Sequence, residues 1–94
     1  MNTQKIELTQ REKEIIVLLA TDKYDIDNSS NDFKELEHLE FLGLGEGIKG
    51  EFDVYFDFEL SSKAKAYLFE NPKLKDPSIW DDKKFWIDVL SNLF

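Results

Sequence analysis

Four groupings of residues in this chain have the types and spacing that chemistry uses. His38 is the single histidine, and an imidazole beside Asp or Glu can act as a general base. Gly45-Glu46-Gly47-Ile48-Lys49-Gly50 satisfies G-x-G-x-x-G, a pattern that lets a backbone approach a pyrophosphate. Asp25-Ile26-Asp27-Asn28-Ser29 begins as a calcium-binding loop begins. Glu51, Asp53, Asp57 and Glu59 recur at two-residue steps about Tyr55, and paired carboxylates carry glycoside hydrolysis.

None of the four completes its chemistry. A dinucleotide site needs the glycine pattern after a strand and opening a helix, so that the helix N-terminus meets the phosphates. Here the pattern follows a helical stretch and enters a strand, which makes it a turn. A calcium loop needs Gly at its sixth position and Glu at its twelfth, where this chain has Ser30 and Leu36; an Asx or Ser cap explains the same residues. With no cysteine and no second histidine, His38 has no partners for zinc. The order of residues places no nucleophile beside it, so it reads as an exposed helical histidine. Carboxylate pairs carry little information in a chain with 20 Asp and Glu. The expectation is a non-enzymatic protein with no cofactor and no metal.

Ninety-four residues support one domain, 1–94, with a single core. Hydrophobic residues at 41% and aromatics at 14% are too many for a disordered chain. The lack of cysteine fits a reducing compartment. No apolar stretch follows Met1-Asn2-Thr3-Gln4-Lys5, and the longest apolar run, residues 15–20, is far below the ~20 residues a bilayer requires. A cytoplasmic location without membrane contact is expected.

The elements that must position these residues follow from periodicity. Thr9 and Glu12 form a capping-box signature ahead of Ile15, Ile16, Leu18 and Leu19, the apolar stripe of a first helix. Residues 21–31 are polar and turn-rich, a loop or one irregular turn. Phe33, Leu36, Leu39 and Leu42 mark a second helix, ended by Gly43 and Gly45. Phe52, Val54, Phe56, Phe58 and Leu60 alternate with Glu51, Asp53, Tyr55, Asp57 and Glu59, which predicts a ten-residue strand with one acidic face. Residues 44–48 predict its partner across a turn at Lys49-Gly50. Ser61 or Ser62 caps a third helix that Asn71-Pro72 stops, and a final helix is expected over 78–94. The fold class is α+β.

Leu8-Thr9-Gln10-Arg11-Glu12-Lys13-Glu14-Ile15-Ile16-Val17-Leu18-Leu19-Ala20 resembles the opening helix of helix-turn-helix regulators, the LuxR-type response regulators among them. Residues 33–44 look like a winged-helix recognition helix entering its first wing strand. Leu60-Ser61-Ser62-Lys63-Ala64-Lys65-Ala66-Tyr67-Leu68 is similar to the L-T-x-K-G-x-x-Y-L segment after the wing, with Ala64 in place of Gly. The resemblance to the winged helix-turn-helix superfamily spans 8–70, and the added C-terminal helix is similar to small phage and prophage members of the YjcQ-like type. It implies three helices, a β-hairpin wing, an added C-terminal helix, and a role in DNA binding. The loop at 21–31 departs from it, leaving little room for a regular second helix, and this puts major-groove docking in doubt.

Charge opposes the DNA-binding implication. Residues 32–60 hold two basic and nine acidic groups, out of a net −8 for the whole chain. Carboxylates on a recognition helix and wing are repelled by phosphate. The reading favoured by charge is a protein partner engaged through Glu37, Glu40, Glu51, Asp53, Tyr55, Asp57 and Glu59, with mimicry of nucleic acid as one form of it. The last helix, with Trp80, Phe85, Trp86, Val89 and Leu93, carries more apolar surface than one core contact needs and is available to a partner or a second copy. The alternative is a DNA-binding transcriptional regulator that dimerises through that helix and touches DNA through lysines such as Lys63 and Lys65.

Overall fold

The computed structural model of the protein describes residues 8–69, 84 and 86–88. Its elements run α1 (Gln10–Ala20), a short 3-10 turn (Ile26–Asn28), α2 (Phe33–Phe41), β1 (Gly45–Lys49), β2 (Tyr55–Leu60) and α3 (Ser62–Phe69). The architecture is α+β, with the helices packed on one antiparallel hairpin. Residues 84 and 86–88 are helical.

Local signals explain the helix ends. The Thr9 hydroxyl accepts from the Glu12 amide at 3.1 Å, and the Glu12 carboxylate accepts from the Thr9 amide at 2.7 Å. This reciprocal pair satisfies two donors that a helix start leaves unpaired. Ile15, Ile16, Val17 and Ala20 then bury one face of α1. The chain leaves α1 through residues 21–32, where a 3-10 turn replaces a regular helix. The Asp25 carboxylate accepts from the Asp27 amide at its start, the Asx-type cap that the sequence allows.

Helix α2 buries Leu36 and Leu39 completely, with Phe33 and Leu42 packed beside them. It ends where Gly43 takes φ +79°. The Gly43 amide donates to the Glu40 carbonyl at 3.0 Å and the Leu44 amide to the Leu39 carbonyl at 2.9 Å, a Schellman closure. For α3 the Ser61 hydroxyl accepts from the Ala64 amide at 3.2 Å, so Ser61 is the cap. Ala64 and Leu68 are buried, and Trp86 enters the same core at 3% exposure.

The hairpin departs from the strict alternation of the sequence. The strand runs over Tyr55–Leu60 rather than ten residues, and the connection is residues 50–54 rather than Lys49-Gly50. Phe52 and Asp53 adopt φ +61° and +55°, a left-handed pair that no strand accommodates. Register slips between Ile48 and Lys49, so that Ile48 faces Asp57 while Lys49 faces Tyr55. Phe56 is the extra residue of a β-bulge. One extra residue inverts a period of two. Tyr55, expected on the acidic face, is therefore 2% exposed, while Phe56, expected inside, is 68% exposed. Phe52 lies outside the strand and is exposed rather than buried.

The core side of the hairpin also limits side-chain size. A Cβ at Gly47 would strike the Asp57 carbonyl oxygen and the rings of Tyr55 and Phe58. Gly47→Ala is expected to cost about 1–3 kcal/mol through overpacking, read as a lower urea midpoint at unchanged m-value.

Candidate functional site

Polar side chains gather in three clusters between the elements and on one open face. In the first cluster, Arg11 of α1 reaches Asp32 at the start of α2 with two parallel bonds, Nε to Oδ1 at 2.9 Å and Nη2 to Oδ2 at 2.8 Å. Tyr24 donates to the same carboxylate at 2.8 Å, and Arg11 also contacts Glu14 at 3.2 Å. A bidentate fork of this kind fixes geometry as well as charge. Burial on its own would raise the Asp32 pKa; the hydrogen bonds from Arg11 and Tyr24, with the guanidinium charge, outweigh it and hold the carboxyl below its ordinary value. The bond to Asp32 raises Arg11 against the opposing effect of burial. Burial, then the same carboxylate, pushes the Tyr24 phenol up. The three groups close the irregular segment 21–32 into a loop with joined ends.

Glu12 and His38 form the second cluster. The Glu12 carboxylate is buried, with one oxygen on the Thr9 amide and the other 2.5 Å from His38 Nδ1. The histidine side chain is 41% exposed and bridges α2 to α1, rather than standing free on a helix surface. Imidazole against carboxylate has the form of an acid–base couple, yet that carboxylate already serves as the helix cap. The pair ties α1 to α2.

The third cluster surrounds Tyr55. Its amide donates to the Ser29 hydroxyl oxygen at 3.0 Å, and that hydroxyl donates to the Tyr55 carbonyl at 3.0 Å. Its phenol donates to Glu40 at 3.1 Å. Its ring lies 5.3 Å from Phe33 and meets Phe58 edge-on at 5.1 Å. Burial and then the bond to Glu40 raise the phenol pKa. Lys49 contacts Glu37 and Glu40, both at 3.4 Å, and sits over the Phe33 ring. Solvent loss pulls the Lys49 pKa down, and the two carboxylates more than reverse it.

Consequently the residues chosen from sequence separate. Tyr55 is a core residue and offers no side chain to a partner. Glu40 and Glu37 are turned to Lys49 and Tyr55. Glu51 and Asp53 lie in the 50–54 connection, off the strand. Asp57 and Glu59 remain together on the outer face of β2, both exposed. The register adds Glu46, directly opposite Glu59, and exposed Ile48, opposite Asp57. Alternation along residues 51–60 reports only on its own strand, so it does not pick out Glu46, which lies on the partner strand. Among the described residues, no ion pair involves Glu46, Asp57 or Glu59. Exposed Phe56 and Phe52 adjoin this face, with Phe52 at the tip of the connection. Of the proposed C-terminal contact residues, Trp86 lies in the core; Trp80, Phe85, Val89 and Leu93 fall outside the described residues.

The G-x-G-x-x-G residues form β1 and the first connection residue, so no helix N-terminus stands behind them. Among the described residues, no group of three or more His, Cys, Asp and Glu is arranged to hold a metal ion, and no helix is long and apolar enough to cross a membrane. No family model, curated protein or solved structure matches this chain.

The Asp32 cluster generates a pH-dependent outcome. Its folded-state pKa lies below the unfolded value, so its contribution is full above about pH 4 and declines as pH falls through the folded-state value. Arg11→Met strands the carboxylate, 7% exposed, and is expected to cost about 2 kcal/mol at pH 7, less than for a fully buried pair because Arg11 is 38% exposed. Urea titrations across pH should show the gap between wild type and Arg11→Met narrowing below about pH 4.

Proposed function

We propose that this chain is a non-enzymatic binding protein that engages a protein partner through the outer face and tip of its hairpin. The observation that carries this reading is the cross-strand pair Glu46 and Glu59, with Asp57 on the same strand and no cation paired to any of them among the described residues. Like charges directly opposite on a hairpin cost stability. Exposed Ile48, Phe56 and Phe52 add apolar area next to this charge. Carboxylates beside exposed aromatic side chains suit a cationic protein surface that also offers apolar pockets.

The element order of helix, irregular segment, helix, hairpin and helix supports the winged-helix likeness of the sequence. In that likeness the hairpin is the wing, and the kinship is with small proteins of phage or mobile elements. A basic groove that ordinarily holds nucleic acid is one partner of the required charge. The carboxylates on one strand face are about 6.7 Å apart, against one charge per about 1.7 Å in duplex DNA. Mimicry of a duplex therefore needs more than this hairpin, and charge complementarity to a protein is the simpler role.

Glu59→Lys separates binding from folding. It replaces a repulsive pair by an attractive one, so the hairpin gains about 0.2–1 kcal/mol. Phe52→Gly relieves the left-handed strain at φ +61° and removes the tip aromatic. Both variants should keep or raise the urea midpoint and lose capture of the partner from extracts of the native host. Undiminished capture by both overturns the proposal. A sequence-specific duplex shift that Lys63→Glu and Lys65→Glu abolish would establish the DNA-binding regulator instead.

A further inference from the structure

Strand β2 pairs with β1 along one side, and among the described residues no strand pairs with its other side. The Ser61 amide donates to the Leu44 carbonyl at 2.8 Å, which sets the phase of the ladder. Pairs alternate between those that exchange hydrogen bonds and those that do not. Glu46 with Glu59 and Ile48 with Asp57 are then the bonded pairs. By that alternation the amides and carbonyls of Phe58 and Leu60 point away from β1. At Tyr55 the Ser29 hydroxyl supplies both bonds that a third strand would make. Beyond Tyr55 no such substitute is present among the described residues.

A concavity of about 220 Å³ runs along this edge, lined by five consecutive β2 residues, 56–60, and by no residue of β1. Its far wall is Leu19, Tyr24 and Ile26, apolar surface at the end of α1 and in the irregular segment. The charged groups at its rim are Asp22, Asp57, Glu59 and Lys65, an acidic majority. Open backbone groups, an apolar wall and an acidic rim are the three features that recognise an extended chain: hydrogen bonds for its backbone, a surface for alternate side chains, and charge for the others.

We propose that the free edge of β2 binds an extended cationic segment of the partner protein as a third strand. This rests on the acidic-face reading above and names the form of its ligand. Residues of the added strand opposite Asp57 and Glu59 share their outer face and are Lys or Arg. Those between them are apolar and face Leu19 and Ile26. A second copy of this chain is the poorer occupant, because pairing β2 with β2 brings Asp57 and Glu59 of one chain to the same residues of the other, and like charges on an edge oppose such association.

The test uses the full chain and a capped heptapeptide of alternating Lys and Val. A Glu–Val counterpart and a Lys–Val peptide N-methylated on the amides of one edge serve as controls. Binding of the Lys–Val peptide should slow hydrogen exchange at the Phe58 and Leu60 amides. N-methylation should weaken it about tenfold, the loss of one or two main-chain hydrogen bonds. The Glu–Val peptide should not bind, and Asp57→Lys with Glu59→Lys should abolish binding of the Lys–Val peptide. If N-methylation changes nothing while charge reversal still abolishes binding, strand addition is overturned and the acidic-face reading survives. If charge reversal changes nothing, both fall. Absence of Lys–Val binding, or protection of Phe58 and Leu60 through self-association in light scattering, also overturns strand addition.

Discussion

Tyr55 joins the hairpin to α2 and to the irregular segment. Its backbone amide and carbonyl are both satisfied by one buried hydroxyl, that of Ser29 in the irregular segment. Its ring packs between Phe33 of α2 and, edge-on, Phe58 of its own strand, and its phenol ends on Glu40. A two-stranded hairpin has little stability by itself in water and needs a surface to pack upon. Tyr55 supplies that attachment, and the bulge at Phe56 is the backbone adjustment that turns it inward. The same adjustment sends Phe56 outward and fixes where the acidic face ends.

The remaining polar clusters do comparable work between the helices. Consecutive residues of α1, Arg11 and Glu12, reach Asp32 and His38 at two places along α2. Each buried carboxylate is fully occupied: Asp32 by a guanidinium fork and a phenol, Glu12 by a backbone amide and an imidazole. Burial of a carboxylate is tolerable only with such partners. Six of the nine carboxylates in residues 32–60 thus fall into two sets, apart from Glu35 on α2 and Glu51 and Asp53 in the connection. Asp32, Glu37 and Glu40 are engaged in internal bonds, whereas Glu46, Asp57 and Glu59 stand together on the outer hairpin face with no cation paired to them among the described residues.

That division leaves its unpaired charge on the hairpin rather than on α2. Two carboxylates that the sequence offers to a partner on the helix are turned to Lys49. The hairpin face keeps its charge at a cost in cross-strand repulsion and holds large apolar side chains in water. The outer edge of β2 borders that face, with backbone groups at Phe58 and Leu60 that no described residue pairs.

Much of this was legible in the residues alone. The Thr9–Glu12 spacing, the stripe from Phe33 to Leu42, the glycine after it and the Ser61 cap each depend on contacts within a few positions, and each element formed where its local chemistry placed it. The irregular character of 21–31 was likewise readable from its polar, turn-prone composition. The hairpin was readable in kind and misread in detail. Alternation reports the side a residue faces only while register is unbroken, and one bulge inverts it. Whether Tyr55 or Phe56 turned inward depended on a hydroxyl 26 positions away and on the space that Gly47 leaves beside it. The fates of Glu37 and Glu40 depended on a lysine brought across from β1. Sequence by itself determined the kind and order of the elements over residues 8–69 and the net charge, because these are sums over local residues. Tertiary structure alone decided which charges remained free, because pairing over distance is settled only when separate elements meet.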